Sequence, residues 1–364
     1  MAYTILQQPT TPNVTNTNLV YTVSSSNSLL PQFNFTSNLY YSGSSTKLTG
    51  FTFSSNKLKT GTIDLARPLG DYLSFDYNWK INNSSSLDNS VKQFDVKFGE
   101  AYGTSADSVV TSFPNLVSQS IELFKGAVYP SEYTNGFNWT SQPLLTNSPA
   151  TQSFSSTDYL TATVYDTNVT VKYYQTGSLT ATKNYVPTSN FSAIPISPLN
   201  IGLYTESDAI TLDVTGSSIR YEKENDCRIE KQRFAFTNKF GFWDYYTNHT
   251  ALRKRTNIDR NTYSRDFIDY TQRVPTYNIS NRGDVQYYTE YTDEFEFTTD
   301  QVTAETSQWL REMFESNEVY LQSGSDFIPI NILNSNETIV NNTARYKNYQ
   351  YTVNYRFANN REPR

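Results

Sequence analysis

Few side chains in this sequence have types suited to catalysis or transition-metal binding. The 364 residues include one histidine, His249, and one cysteine, Cys227. A hydrolase triad needs an imidazole beside a nucleophilic hydroxyl, and the Gly-x-Ser-x-Gly elbow that often presents such a serine is absent. Arg228 could lower the pKa of Cys227, but no histidine is close to it in sequence. We interpret His249 as a surface or hydrogen-bonded residue and Cys227 as an incidental thiol.

Carboxylates are more numerous, and a converging pair of them is enough for glycoside hydrolysis. Asp293, Glu294 and Glu296 lie within four residues of one another, but the two glutamates alternate with Phe295 and Phe297. This alternation is typical of a strand with one face in solvent and one face buried. We interpret these acids as the solvent face of a strand. A site that binds a hard cation through oxygen ligands stays a possibility, although no calcium-loop sequence supports one. We predict no cofactor.

The strongest basic signal is the run Arg253, Lys254 and Arg255, which Arg260 and Arg265 follow. Together with nearby tyrosines, it has the composition of a stripe that binds single-stranded nucleic acid. Aspartates interleave with these cations, however, and the net charge of the chain is -6. We therefore favour a charge pattern between subunits over phosphate binding.

The densest aromatic stretch is at residues 233–248. Phe234 and Phe236 alternate with smaller side chains, which predicts a strand with one buried face. Residues 238–241 contain Asn and Gly, which predict a turn, and residues 242–246 are expected to form the returning strand. Such a hairpin has too much aromatic surface for two strands to bury. It could form a domain core, an oligomer interface or a platform that stacks on sugar.

The overall composition favours strands over helices. Apolar residues make up 37% of the chain, with 29 tyrosines and 22 phenylalanines among them. No run of about 18 apolar residues is present, so we expect no membrane-spanning helix. The start lacks the basic region and apolar core of a signal peptide, and one cysteine allows no internal disulfide. These features together predict synthesis in a reducing cytosol.

We predict a mainly β chain of tandem antiparallel β-sandwich-like domains, with one amphipathic helix in the carboxy-terminal domain. The density of charge changes near residue 220, because 18 of the 29 Lys and Arg and 21 of the 35 Asp and Glu follow it. The predicted domains are a β-sandwich at 1–102, a second β domain with long loops at 103–220, and a charged, aromatic β domain at 221–364.

Two elements of the predicted third domain have clear periodicity. Trp309, Leu310, Met313 and Phe314 form one apolar stripe, which predicts a helix near 303–316. The last strand is predicted from strict alternation, with one face formed by Tyr349, Tyr351, Val353, Tyr355 and Phe357.

Four segments of the carboxy-terminal part form a distinctive pattern. They are Asn-Lys-Phe-Gly-Phe-Trp-Asp at 238–244, the segment from Trp-Leu to Val-Tyr-Leu at 309–321, Phe-Ile-Pro-Ile-Asn-Ile at 327–332, and the Tyr-rich strand at 349–357. This pattern resembles one in virion structural proteins of tailed phages that infect Bacteroidetes, the crAss-like phages among them. The resemblance covers mainly residues 225–358, and the amino-terminal third agrees only in outline. The pattern has no enzymatic motif, so it brings no catalytic residue with it.

The resemblance implies a non-enzymatic, multi-copy component of the tail, collar or neck. The partners that it implies are copies of the chain in a ring and neighbouring tail, collar or portal proteins. Nucleic acid would be met only as DNA passing through the tail channel. The implied location is the virion, assembled in the cytoplasm of the bacterial host.

We therefore predict a structural ring protein that turns over no substrate. The residues that we single out for its subunit contacts are Phe240, Phe242, Trp243, Tyr245, Arg253, Arg255, Trp309 and Tyr355. The alternative is a receptor- or glycan-binding module at the tail tip, with Trp139 or Trp243 stacking on sugar. A third hypothesis is a polysaccharide-degrading tail enzyme, which requires two carboxylates that converge in a cleft.

Overall fold

The computed structural model describes residues 3–105, 109–128, 142–224, 231–266, 268–277, 280, 282–334 and 349–359. It is mainly β, with 52% strand and 7% helix. Several antiparallel sheets form sandwich-like layers, which confirms the predicted fold class. The chain divides into two compact units, of which the first is Met1–Glu224 with Thr237–Asp244 and the second is Asn225–Phe236 with Tyr245–Arg364.

The described residues of the first unit form sixteen strands and two short helices. In chain order they are β1 (Tyr3–Gln7), β2 (Asn13–Val14), β3 (Val20–Ser25), β4 (Asn34–Tyr41), β5 (Lys47–Phe53), β6 (Thr60–Asp64), α1 (Ala66–Gly70), β7 (Ser85–Ser86), β8 (Val91–Tyr102), β9 (Thr111–Phe124), β10 (Thr151–Phe154), β11 (Thr161–Tyr165), β12 (Val169–Gln175), β13 (Ser178–Tyr185), β14 (Phe191–Pro195), α2 (Pro198–Ile201), β15 (Ala209–Val214) and β16 (Ser217–Lys223).

The amino-terminal part of this unit is a sandwich of two sheets. Their strand orders are β1-β3-β6 and β2-β9-β8-β4-β5. In β8, Phe94, Val96 and Phe98 alternate with polar residues, so all three side chains point to one face. They are fully buried, and they pack in one cluster with Tyr21 and Phe35 from the two sheets.

The second part of this unit contains a five-stranded sheet, β10-β16-β15-β12-β13, and a three-stranded sheet, β11-β14-β7. The predicted boundary between residues 102 and 103 does not separate compact units here. β8 and β9 pair antiparallel across it, and Ser85–Ser86 before it pairs with β14 after it. Because strand pairing joins both sides of the boundary, the first two predicted domains form one unit.

The described residues of the carboxy-terminal part contain nine strands and one helix. They are β17 (Gln232–Thr237), β18 (Trp243–Asn248), β19 (Arg253–Ser264), β20 (Ile268–Asp269), β21 (Thr276–Tyr277), β22 (Asp284–Thr298), α3 (Ala304–Glu315), β23 (Val319–Ser323), β24 (Asp326–Ile332) and β25 (Thr352–Phe357). Seven of the strands form one sheet in the order β18-β17-β23-β24-β25-β22-β19.

Helix α3 is the predicted amphipathic helix. The hydroxyl of Thr303 accepts a hydrogen bond from the backbone N–H of Thr306, which caps the first turn. Trp309, Leu310 and Met313 are buried in one cluster with residues of the seven-stranded sheet. Burial of this apolar stripe confirms the predicted helix.

The turn between β17 and β18 is confirmed, and it is specified by two residues. Gly241 has a φ of +79°, a conformation that favours glycine. The side-chain oxygen of Asn238 accepts hydrogen bonds from the N–H groups of Phe240 (3.0 Å) and Phe242 (3.1 Å), and its amide nitrogen donates to the carbonyl of Leu145 (2.9 Å). The turn belongs to the first unit, whereas most of β17 and β18 belongs to the second.

Candidate subunit interface

Three of the predicted interface residues lie in the core of the first unit. Phe240 and Phe242 are buried in a cluster that includes Phe124, and the rings of Phe124 and Phe242 stack with centroids 5.9 Å apart. The indole N–H of Trp243 donates to the backbone carbonyl of Asp76 at 2.6 Å. These side chains are covered by the chain itself, so they are not surface residues available to a partner.

Three more predicted interface residues are buried in the second unit. Tyr245, Trp309 and Tyr355 are each almost completely buried. Trp309 packs with its ring 5.5 Å from that of Phe236, and the guanidinium of Arg233 lies 5.1 Å from the ring of Tyr245. The aromatic stretch therefore forms core within each unit, which was the first of its three interpretations. This burial removes six of the eight candidate residues from the surface.

Arg253 and Arg255, the remaining two, are exposed at the start of a long two-stranded ribbon. We define the ribbon as β19 and β22, which pair antiparallel from Arg253 opposite Glu296 to Ser264 opposite Asp284. β19 is the last strand of the seven-stranded sheet, and all twelve of its residues are exposed. Both faces of this strand therefore contact solvent.

The ribbon extends beyond the rest of its sheet. β25 pairs with β22 only at Phe295–Thr298. Between Asp284 and Glu294, β19 is the only strand that pairs with β22 in the part of the chain that the structure describes. At about 3.4 Å per residue, this two-stranded part is roughly 35 Å long. A two-stranded hairpin alone is marginally stable in water, so a surface of this kind favours an additional partner.

Two carboxylates of β22 pair with the basic run at the base of the ribbon. Arg253 and Arg255 both contact the carboxylate of Glu296, with N to O distances of 3.3 and 3.2 Å. The ammonium of Lys254 contacts the carboxylate of Asp293 at 2.7 Å. Because these cations are paired with β22, they are poorly placed to bind phosphate. The preference for a charge pattern between subunits stays a prediction.

Charges further along the ribbon are not neutralised in this way. Asp259 lies directly opposite Glu290, and Glu294 lies along the same face. On the other face, Arg260 and Ile258 are exposed. None of these four charged side chains has an ion pair within the described residues. The two faces of the ribbon therefore differ in charge.

The far end of the ribbon is rich in exposed tyrosine. The rings of Tyr263 and Tyr287 lie 6.0 Å apart, and Tyr287 is 65% exposed. In the connection between the strands, a hydrogen bond to the Asp266 side chain raises the pKa of Tyr270. Exposed aromatic rings are common where one protein surface contacts another.

Among the described residues, no group of three or more His, Cys, Asp or Glu could hold a metal ion, and none of the helices found there is long and apolar enough to cross a membrane. Glu294 and Glu296 alternate with buried Phe295 and Phe297, which confirms the predicted strand face. Cys227 and Trp139 lie outside the described residues.

The sequence analysis assigned no strand to residues 253–264 and missed the ribbon. A search for apolar alternation detects a strand with one buried face, and β19 has none. Glu290 and Tyr287 were missed for the same reason.

No protein-family model matches this chain, and a search of curated proteins found no match either.

Proposed function

We propose that this chain is a non-enzymatic structural component of a tailed-phage virion, present in multiple copies that assemble as a ring in the tail, collar or neck. The observation that carries the proposal is the ribbon, whose first strand is exposed along its whole length. A neighbouring copy would supply the layer that a two-stranded element lacks. Heterologous contacts of this kind form rings when the rotation between copies closes.

The virion assignment draws on the resemblance of residues 225–358. The segments that carry the resemblance include the buried residues Trp243 and Trp309. Because buried residues determine the fold, the resemblance supports a shared fold. The ribbon supplies the assembly surface, because its charges and tyrosines are exposed. Fold and assembly surface thus support the proposal separately.

The oligomeric state of the full chain tests this proposal. Sedimentation velocity and mass photometry across a concentration series should show a discrete oligomer that forms from monomers. Mass spectrometry of purified phage particles that encode the chain should find it in multiple copies. A chain that stays monomeric at every concentration and is absent from the particles would overturn the proposal.

A receptor- or glycan-binding role at the tail tip is the second candidate function. Tyr77 is 52% exposed, and its ring lies 5.2 Å from that of Trp79 and 5.7 Å from that of Trp243. An exposed aromatic ring held by two indoles is suited to stacking on a sugar. Tyr77→Ala should then abolish adsorption to the host while particles stay intact. Unchanged adsorption would exclude this role for Tyr77.

A further inference from the structure

We propose that the ribbon of one copy packs face to face on the ribbon of the next copy. One surface is the acidic face, defined by Asp259, Glu290 and Glu294. The other is the basic face, defined by Ile258 and Arg260 on the opposite side of the same ribbon. This inference rests on the proposed ring assembly and names the surfaces that form it.

Two ion pairs at the base of the ribbon fix which side chains share a face. Arg255 contacts Glu296 on one face, and Lys254 contacts Asp293 on the other. Side chains alternate between the faces along each strand. Every second residue from Arg255 along β19 leads to Asp259, and every second residue from Glu296 along β22 leads to Glu294 and Glu290, so these acids share one face. Every second residue from Lys254 leads to Ile258 and Arg260 on the other face. This count stays clear of the irregular pairing between Asn261 and Thr262.

The acidic face is unfavourable within a single chain. Asp259 and Glu290 are directly opposite each other, which places their Cβ atoms roughly 4.5–5.5 Å apart. Like charges at such positions destabilise a strand pair. Glu294 lies on the same face opposite Arg255, and the ion pairs of Arg253 and Arg255 at the base of this face are with Glu296. No ion pair of Asp259 or Glu290 is found among the described residues. A cation supplied by a neighbouring molecule would relieve this repulsion.

The basic face carries a suitable cation on a partly apolar surface. Arg260 is exposed opposite Thr289 and has no ion pair among the residues that the structure describes. Ile258, one step along the face, is 46% exposed opposite Tyr291. A guanidinium can bond a carboxylate through two parallel hydrogen bonds, so Arg260 suits the carboxylates of the acidic face.

The charges of the two faces select a second copy as the partner and select how it binds. Nucleic acid is disfavoured on the acidic face, because phosphates and carboxylates repel each other. Contact between two copies of the region around Asp259 and Glu290 is disfavoured for the same reason, so the acids of one copy are better matched by Arg260 of another. Acidic face on basic face is a heterologous contact, in which each copy uses both faces. Such contacts continue around a ring.

Charge reversal in the full chain tests the inference. Glu290→Lys and Arg260→Glu should each weaken assembly by about tenfold or more, because each places like charges across the contact. An equimolar mixture of the two variants should assemble again, because every contact between unlike variants regains opposite charges. Glu206→Lys and Lys57→Glu, at exposed positions of the first unit, are matched controls and should assemble like the wild type.

Urea unfolding checks that the variants fold. Glu290→Lys should be at least as stable as the wild type, because it removes the repulsion with Asp259. Should either reversal fail to fold, Asp259→Asn, which removes one carboxylate, should still weaken assembly.

The outcomes separate the two proposals. A wild-type oligomer that neither reversal weakens would overturn the face-to-face contact and leave the ring in place. Dissociation by a chelator, with no effect of Arg260→Glu, would show a bound cation between the acids and would also overturn it. A wild-type chain that stays monomeric throughout would instead count against the ring itself.

Discussion

Gly241 lies where two backbone segments of the first unit approach closely, and its replacement gives a sharp test of the core. An added Cβ there would lie 1.3 Å from the carbonyl oxygen of Lys125. The approach is held in place by a hydrogen bond from the N–H of Ala127 to the carbonyl of Lys239, at 2.7 Å. We expect Gly241→Ala to lower the free energy of unfolding by two separable effects.

The first effect is backbone strain, because the φ of Gly241 is +79° and a left-handed residue with a Cβ costs about 1–2 kcal/mol. The second is the clash, which is comparable to overpacking a core and costs about 1–3 kcal/mol. The total loss is therefore roughly 2–5 kcal/mol. Gly216 has a φ of +81° with nothing within 4 Å of the added Cβ, so Gly216→Ala measures the strain alone. Gly126→Ala adds a milder clash between the same two segments without that strain, since its Cβ would lie 2.7 Å from the Lys239 carbonyl oxygen.

Equilibrium urea unfolding of the full chain and the three variants provides the comparison. Midpoints and slopes give the change in the free energy of unfolding for each variant. Gly241→Ala should lose at least as much as the two control variants together, because its added Cβ makes the closer contact. An equal loss for Gly241→Ala and Gly216→Ala would show that the two segments are not tightly opposed, and it would refute the reasoning.

Three further predictions concern the core and the ring. Asn238→Ala should lower the free energy of unfolding by about 3 kcal/mol in urea, because it removes three hydrogen bonds to backbone groups. Burial raises the pKa values of Tyr21 and Tyr355. The contribution of these two tyrosines to the free energy of unfolding is therefore present below about pH 10 and is lost at higher pH. In an alkaline titration, part of the tyrosinate absorbance should appear only with loss of the circular dichroism signal. Assembly of the full chain should weaken with rising salt in sedimentation velocity, and an oligomer insensitive to salt would contradict ribbon contacts through charge.

Elements with one buried face could be predicted from the sequence. Phe295 and Phe297 alternate with acids, and the structure buries both phenylalanines in a strand. Helix α3 was predicted from its apolar stripe, and the stripe is buried. In both cases the period of the pattern equals the period of the backbone, so local sequence contains the information.

Pairing between distant strands could not be predicted in the same way. The turn at Asn238 and Gly241 was correctly located from residue types, but its packing against Phe124 joins segments more than a hundred residues apart. Ser85–Ser86 pairs with β14 although nothing in the two serines indicates it. Such contacts depend on the closure of the whole core, which a single sequence does not reveal.

The prediction of interface residues was wrong where residue type could not separate a domain core from a subunit interface. Tryptophan and tyrosine are enriched in both settings, so composition pointed to the 234–246 hairpin as a contact surface. The structure places Trp243 and Tyr245 inside their units, so they are not available to a partner. The exposed surface that remains as a candidate for subunit contacts is the polar ribbon. A contact through Asp259, Glu290 and Arg260 would let the folded chain stay soluble before assembly, because its exposed partner surface is charged rather than apolar. The aromatic residues then stabilise each unit, and the charges determine which copies meet and in which direction.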